Sequence, residues 1–191
     1  MCAKYSLTLF LTFQLIYFAQ FKRIPKKIVV VEDFRNCPNI DISDITFRLE
    51  NVKFGMVSGS KSEISFQLGT DKNMTNKLYG PVTVLKCPTV HGDEDCETIL
   101  VVQIKDFCQK FLEKNQAWSF AFENVQPELT CPIQAGIYSS KGTPDLSRLK
   151  WLIDDTHAFK IYINVFEKEE FLACIYIVLK SNVVRVYVKD T

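Results

Sequence analysis

The stretch FKIYINVF at residues 159–166 alternates apolar and polar side chains, and FLACIYIVL follows at residues 171–179. A period of two residues is typical of a β-strand with one apolar face. The charged residues 167–170 form a short connection between the two stretches, which favours an antiparallel hairpin. Residues 183–188 are predicted to form a third strand after a turn at residues 181–182. The end of the chain is therefore predicted to be antiparallel β-sheet.

Similar stretches occur throughout the chain before this hairpin. Residues 45–54 and 64–68 alternate in the same way, and further strands are predicted at 28–31, 79–87 and 118–122. Turn-forming residues separate these stretches at fairly even intervals. The pattern predicts a mainly all-β fold, a two-sheet antiparallel β-sandwich.

One segment has the periodicity of an amphipathic helix. Its apolar residues recur at helical spacing, and charged or amide side chains fill the opposite face. These apolar residues are Ile104, Phe107, Cys108, Phe111 and Leu112. We expect one short helix here that covers one side of a sheet.

Residues 1–19 have the layout of a secretory signal peptide. Residues 5–19 carry no charge, and the basic pair Lys22-Arg23 follows them. The uncharged stretch is shorter than the roughly 20 apolar residues that a bilayer core requires, so a signal anchor is the less favoured alternative. We expect cleavage between positions 19 and 24 and a secreted, extracellular chain in which residues 20–191 form a single domain.

The chain has seven cysteines, and Cys2 lies in the predicted leader. The other six are an even number, which predicts three disulfides in an oxidising compartment. They are Cys37, Cys87, Cys96, Cys108, Cys131 and Cys174. Their spacing does not decide the pairing, although the short step from Cys87 to Cys96 suits a closed loop. Asn73-Met74-Thr75 is an N-glycosylation acceptor in a polar turn, which agrees with secretion.

The charged and reactive residues do not support an enzyme or a nucleic-acid-binding protein. The net charge is +1, so no strong field favours a polyanion. Nucleophile-elbow, HExxH and phosphate-loop motifs are absent from the sequence. Asp154, Asp155 and His157 suit a metal by residue type, but a polar turn is the favoured interpretation. We expect no catalytic residue, no cofactor and no metal.

Two further charged clusters are interpreted as solvated surface. The acidic residues 93–97 crowd the loop between Cys87 and Cys96, and a short solvated loop does not separate pKa values as acid–base catalysis requires. The basic residues 22–27 either contact an anionic membrane surface or form a mobile N-terminus.

Large aromatic side chains are frequent, with 15 Phe and 7 Tyr, and many fall on predicted strands. They indicate either an ordinary filled core or an incompletely filled sandwich whose apolar lining meets a ligand. Composition alone leaves both interpretations open.

The order of the cysteines and the stretch Cys131-Pro132-Ile133-Gln134-Ala135-Gly136-Ile137-Tyr138 resemble the ML-type lipid-recognition superfamily, in particular ganglioside activator proteins. In length and in this Cys-Pro-x-x-x-Gly-x-Tyr stretch the chain is similar to secreted insect chemosensory proteins of the CheA type. The resemblance spans roughly residues 37–181. The activators have one further cysteine pair, which this chain lacks.

The resemblance implies a cup of two sheets around a hydrophobic cavity, with disulfides Cys37–Cys174, Cys87–Cys96 and Cys108–Cys131. It implies a carrier, solubiliser or presenter of a lipid or another hydrophobic small molecule, with a role in chemosensation and contact with a membrane surface or receptor. A receptor-accessory or interaction module with a filled core is the alternative. Strand parity gives the candidate cavity residues Phe47, Leu49, Ile64, Phe66, Leu68, Phe120, Phe122, Ile161, Ile163 and Ile177.

Overall fold

The computed structural model describes residues 21–57, 61–116, 118–150 and 153–189. The described residues between 28 and 182 form one compact unit, and the described residues 21–27 and 183–189 belong to a second. The described residues of the second unit are the first part of one strand and the last part of another. The predicted signal peptide lies outside the described residues.

Eight strands in the described residues form two sheets, and every described pairing is antiparallel. The larger sheet has the order β1-β8-β7-β4-β5 and contains β1 (Phe21–Asn36), β4 (Leu78–Cys87), β5 (Glu97–Ile104), β7 (Ala158–Glu167) and β8 (Glu170–Lys189). The smaller sheet has the order β2-β3-β6 and contains β2 (Phe47–Val57), β3 (Lys61–Thr70) and β6 (Gly136–Gly142). The predicted two-sheet, mainly β architecture is confirmed.

Two short helices, α1 (Phe107–Leu112) and α2 (Ser119–Phe122), follow β5. The Asp106 side chain caps α1 by accepting a hydrogen bond from the Gln109 N–H at 3.0 Å, which places the start of this helix after Asp106. The structure also has 3-10 turns at Ile42–Asp44 and Leu146–Leu149.

The main hydrophobic core contains the apolar faces of both sheets. In β3, Ile64, Phe66 and Leu68 are buried, while Ser65 and Gln67 between them are partly exposed. In the larger sheet, Ile161 of β7 lies opposite Ile177 of β8, so their side chains are on the same face. The apolar positions of the period-two alternation in β3 and in β7 therefore lie on the inner face of the sandwich.

Asn51 explains why the alternation of β2 is interrupted. It has a φ of 53°, and the register against β3 shifts between Glu50 and Lys53. Asparagine tolerates this left-handed conformation better than most residues. The bulge leaves Phe54 exposed beyond it.

The predicted turn at Ser181-Asn182 is wrong, because β8 continues through it to Lys189. The Ser181 side chain is buried and its hydroxyl donates to Asp155 Oδ1 at 2.7 Å. A two-residue hairpin loop needs a positive φ, which neither Ser181 nor Asn182 has. The other predicted turn is present, with Lys168 at a φ of 56°.

The predicted strand at 118–122 is also wrong, since Ser119–Phe122 is the helix α2, which carries Phe120 and Phe122. The buried Ser119 hydroxyl donates to the Glu113 carbonyl at 2.9 Å and accepts from the Gln116 N–H at 2.8 Å. These bonds close a compact turn of the chain at this point.

The predicted helix is shorter than expected and two strands were not predicted. Ile104 lies at the end of β5, paired with Gly80, and does not belong to α1. The unpredicted strands are β5 and β6.

Candidate functional site

The ten candidate cavity residues all belong to the main core or pack against it. Those in the smaller sheet are buried, and they are Phe47, Leu49, Ile64, Phe66 and Leu68. Those in the larger sheet and in α2 are only partly buried, and they are Phe120, Phe122, Ile161, Ile163 and Ile177. The candidates of the smaller sheet are therefore covered by other protein atoms, whereas those of the larger sheet and of α2 keep some solvent-accessible surface.

The partly buried isoleucines of β7 lie in the middle of the strand. Ile161 and Ile163 keep accessible surface, whereas Phe159 and Val165, on the same face at either end, are 2% and 1% exposed. β7 has a neighbouring strand on each side, so this exposure does not come from a sheet edge. The accessible surface therefore lies on the inner face of the sheet, bounded by buried residues along the strand.

The neighbouring strands continue this accessible surface. Val82 of β4 lies opposite Ile163, and Ile177 of β8 lies opposite Ile161, and both are partly buried. We call Val82, Ile161, Ile163 and Ile177 the central patch. Its four side chains are aliphatic, so the patch offers dispersion contacts and hydrophobic burial.

Phe120 and Phe122 of α2 are partly buried and pack against the same core as the central patch. The ring of Phe122 stacks on Phe111 of α1 with centroids 4.6 Å apart. The Ser140 hydroxyl of β6 donates to the Ala121 carbonyl at 2.8 Å, which holds α2 against the smaller sheet. The two short helices thus place aromatic rings at the side of the sandwich.

Gly142 permits the close approach of α2 to β6. A Cβ atom on Gly142 would lie 2.4 Å from the Phe120 carbonyl oxygen, a distance that no side chain tolerates. This glycine is therefore required for the position of Phe120.

The apolar inner face continues to β5 and becomes more exposed there. Val102 lies opposite Val82 and Leu100 lies opposite Val84. Leu100 is 46% and Val102 is 39% exposed. The inner face of the larger sheet is thus open to solvent along the β5 edge.

An open groove of about 600 Å³ lies where β4 begins and β5 ends. It combines amide, basic, aromatic and apolar side chains around one acidic residue, and its lining is Asn76, Lys77, Tyr79, Gln103, Ile104, Lys105, Asp106 and Lys168. The Tyr79 hydroxyl donates to the Lys168 carbonyl, which joins β4 to the β7–β8 turn. None of the residues that line this groove was a candidate ligand-binding residue in the sequence.

Three disulfides tie the strands to the loops, and they are Cys37–Cys174, Cys87–Cys96 and Cys108–Cys131. These are the pairs that the resemblance implies. Cys37–Cys174 joins the segment after β1 to β8, and Cys108–Cys131 joins α1 to the loop before β6. Such cross-links restrict the unfolded chain and thereby stabilise the folded sandwich.

His157 Nδ1 lies 2.8 Å from Asp154 Oδ1, but the Asp155 side chain does not join these two residues. Asp154 accepts hydrogen bonds from the His157 N–H at 2.8 Å and pairs with Lys86 Nζ at 2.8 Å, whereas Asp155 binds Ser181. Hydrogen bonds from Lys86, and then from His157, hold the pKa of Asp154 well below its ordinary value. Within the described part of the chain, no group of three or more His, Cys, Asp or Glu side chains is arranged to hold a metal ion.

A buried lysine holds the acidic loop, which the sequence had suggested is freely solvated. Lys160 lies on the outer face of β7, and its ammonium donates to the Gly92 carbonyl and to Asp93 Oδ1. The Tyr162 hydroxyl also donates to Asp93, at 3.1 Å. Burial, together with the Asp93 charge, raises the pKa of Tyr162. Asp93 is therefore a structural ion-pair partner, although it is exposed like Glu94 and Asp95.

The remaining sequence features are the glycosylation acceptor and the basic residues 22–27. Asn73 is exposed and its Oδ1 accepts the Ala135 N–H at 2.8 Å. Residues 22–27 belong to β1. None of the helices among the described residues has the length and apolar character needed to cross a membrane.

No family model matches this chain, and no curated protein has a significantly similar sequence.

Proposed function

We propose that this protein is a secreted, non-enzymatic binding protein that encloses a lipid or lipid-like hydrophobic molecule. The observation that carries the proposal is the central patch, which is partly exposed in the middle of the larger sheet. A hydrophobic ligand would cover this patch.

The position of the patch distinguishes a ligand site from ordinary surface exposure. Interiors of proteins are packed as densely as organic crystals, so inner-face residues of a central strand are normally covered by the facing layer. Phe159 and Val165 follow this rule, but Ile161 and Ile163 between them do not. A hydrocarbon chain placed there would restore the missing contacts.

The chemistry of the patch favours an acyl chain or a similar hydrocarbon. Each methylene removed from water contributes about 0.8 kcal/mol, so a long chain binds without specific polar contacts. The side chains of the central patch and of Phe120 and Phe122 offer no hydrogen-bonding atom. We therefore expect broad selectivity among ligands of suitable length.

Three further observations support a secreted carrier. The three disulfides fit an oxidising compartment, residues 1–19 have a signal-peptide layout, and the cysteine order resembles the lipid-recognition superfamily. A role as a carrier, solubiliser or presenter in chemosensation follows from that resemblance alone.

The experiment is lipid extraction and native mass spectrometry of the full chain, secreted from eukaryotic cells, followed by titration with a fluorescent fatty acid. We expect a co-purified lipid or saturable uptake of the probe. Ile161→Trp and Ile163→Trp should reduce uptake because the added rings occupy the space above the patch. Ile137→Trp is the matched control, since Ile137 is an exposed residue of β6.

Failure of the folded wild-type protein to carry lipid or to take up the probe would exclude the proposal. The second candidate, an interaction module with a filled core, would then be preferred. The exposed apolar residues of β5 favour that candidate.

A further inference from the structure

β5 is an edge strand with an unusual surface. Ile99, Leu100, Val101 and Val102 are consecutive in the strand, and each is at least 37% exposed. Successive strand residues point to opposite faces, so β5 exposes apolar side chains on both faces of the sheet. Edge strands of soluble proteins usually carry charges or a covering segment, because a bare edge pairs with other strands.

Each edge strand of the smaller sheet is hydrogen-bonded at one residue by another segment of the chain, in contrast to β5. Gln126 and Ser139 exchange backbone hydrogen bonds of 2.8 and 2.7 Å at the β6 edge. At the β2 edge, the Asn36 amide group bonds both the N–H and the carbonyl of Leu49 at 2.8 Å. For residues 97–104, the backbone hydrogen bonds found in the described part of the chain are those of the pairing with β4.

The two ends of β5 carry opposite charges. The exposed acidic residues Glu94 and Glu97 lie at its start, and the exposed Lys77 and Lys105 lie at its end, beside the groove. Lys86, which lies opposite Glu97 in the ladder, directs its ammonium to Asp154. An eight-residue strand is roughly 26 Å long, whereas charges are screened over about 8 Å, so the two ends do not neutralise each other.

We propose that the β5 edge pairs antiparallel with the β5 edge of a second copy of this chain, joining the two larger sheets. This alignment brings the acidic end of each β5 next to the basic end of the other, and it buries Ile99–Val102 at the centre. A parallel alignment would place like charges together. The contact is symmetric, with the same strand used by both copies, as in most homodimers.

The charge pattern selects a second copy over a membrane as the occupant. An anionic bilayer attracts Lys77 and Lys105 but repels Glu94 and Glu97. A second copy in antiparallel orientation satisfies both ends at once. In the proposed dimer, the charges at the two ends of β5 fix the antiparallel direction of the two β5 strands. They do not fix which residues pair across the contact, because β5 has a bulge near Ile99, where its register against β4 shifts.

The test is sedimentation of the secreted full chain across a concentration series, with complementary charge variants. The all-basic variant is Glu94→Lys with Glu97→Lys, and the all-acidic variant is Lys77→Glu with Lys105→Glu. Each alone should dimerise at least about tenfold more weakly than wild type because both contacts become repulsive. An equimolar mixture of the two should form heterodimers, which also shows that both variants are folded.

A second comparison tests the apolar centre of the contact. Val101→Lys should abolish the dimer, whereas Ile137→Lys, at a β6 residue of equal 59% exposure, should not. A wild-type chain that stays monomeric, or a mixture that forms no heterodimer, overturns the proposal. So does a monomeric chain that binds phosphatidylserine vesicles and loses this binding in the all-acidic variant, because the occupant is then a membrane.

Discussion

Lys160 Nζ lies 2.8 Å from Asp93 Oδ1, although the Lys160 side chain is 1% exposed and that of Asp93 is 54% exposed. The cation is therefore withdrawn from water while its anionic partner remains solvated. The hydrogen bond from Lys160 holds the pKa of Asp93 below its ordinary value. The pair holds the loop between Cys87 and Cys96 against the outer face of β7.

This asymmetry predicts unequal effects of removing either partner. Asp93→Ala leaves a buried ammonium with the Gly92 carbonyl as its remaining partner, and we expect a loss of about 3 kcal/mol in unfolding free energy. Lys160→Met leaves a carboxylate that water can solvate, so we expect a loss below about 1.5 kcal/mol. Urea unfolding with the disulfides intact measures both. A larger loss for Lys160→Met would contradict this description of the pair.

Acid should remove the stabilisation that Asp154 provides. The hydrogen bond from Lys86 lowers the pKa of Asp154 in the folded chain below its ordinary value of 3.8. A carboxyl group with a lowered pKa stabilises the fold above the unfolded value, and this contribution is lost as the pH falls towards the folded value. We expect Asp154→Asn to lower the Tm at pH 7, and the difference from wild type to shrink as the pH falls from about 5 to about 2. A difference that is constant with pH would exclude this role for the Asp154 charge.

The inner face of β3 should not accept a charge. Phe66 is buried and its ring meets Phe34 edge-on with centroids 5.1 Å apart, so Phe66→Asp buries an unpaired carboxyl and leaves a void. We expect little secreted protein from this variant. Phe122→Asp should fold better but lower ligand uptake, because Phe122 is only partly buried.

Gln67→Asp is the control for these variants, since Gln67 lies on the opposite face of β3 from Phe66. Its Oε1 accepts a hydrogen bond from the Asn51 side-chain amide of β2. We expect near-normal secretion and uptake, measured by immunoblot of the medium and by probe titration. Equal tolerance of aspartate at Phe66, Gln67 and Phe122 would show that the assigned faces are wrong.

Strand prediction succeeded where one face of a strand carries a run of buried apolar side chains, as in β3, and it failed for β5 and β6. β6 was missed although one of its faces is buried, because that face carries Tyr138 and Ser140 rather than a run of apolar residues. β3 alternates because Ile64, Phe66 and Leu68 face the main core while the residues between them do not. In β7, Phe159 faces that core, whereas its neighbour Ala158 packs in a second buried cluster. β5 was missed because its apolar residues are exposed on both faces, which removes the alternation. α2 was predicted as a strand because four residues are too few to show a helical period.

The sequence predicted which residues lie on the inner faces of the sheets, but not how exposed each of them is. Strand parity placed Phe66 and Ile161 on the inner faces, and both belong to the main cluster. Phe66 is buried, whereas Ile161 is only partly buried. This difference depends on which side chains of the facing sheet and helices cover each residue, and a single sequence does not reveal that. Val82 shares the accessible surface through its pairing with Ile163, a relationship set by strand order.

The glycosylation acceptor allows the glycan and a structural hydrogen bond to be separated. The Asn73 side chain accepts the Ala135 N–H through Oδ1, whereas a glycan would be attached to Nδ2. Thr75→Ala removes the acceptor motif and keeps this bond, so we expect the glycan mass to disappear with little change in Tm. Asn73→Gln removes the motif and displaces Oδ1 by one methylene, so we expect the same mass loss together with about 1 kcal/mol of destabilisation.

Mass spectrometry of the secreted wild type before and after glycosidase treatment, and of both variants, measures the glycan. Thermal unfolding of the two variants, neither of which carries the glycan, measures the bond. Comparing two unglycosylated proteins matters because the sugar itself alters solubility and unfolding. If Thr75→Ala and Asn73→Gln had the same Tm, the Asn73–Ala135 bond would contribute nothing measurable. If wild type carried no glycan at Asn73 when secreted, the motif would be unused, and the lower stability of Asn73→Gln would still report on the bond alone.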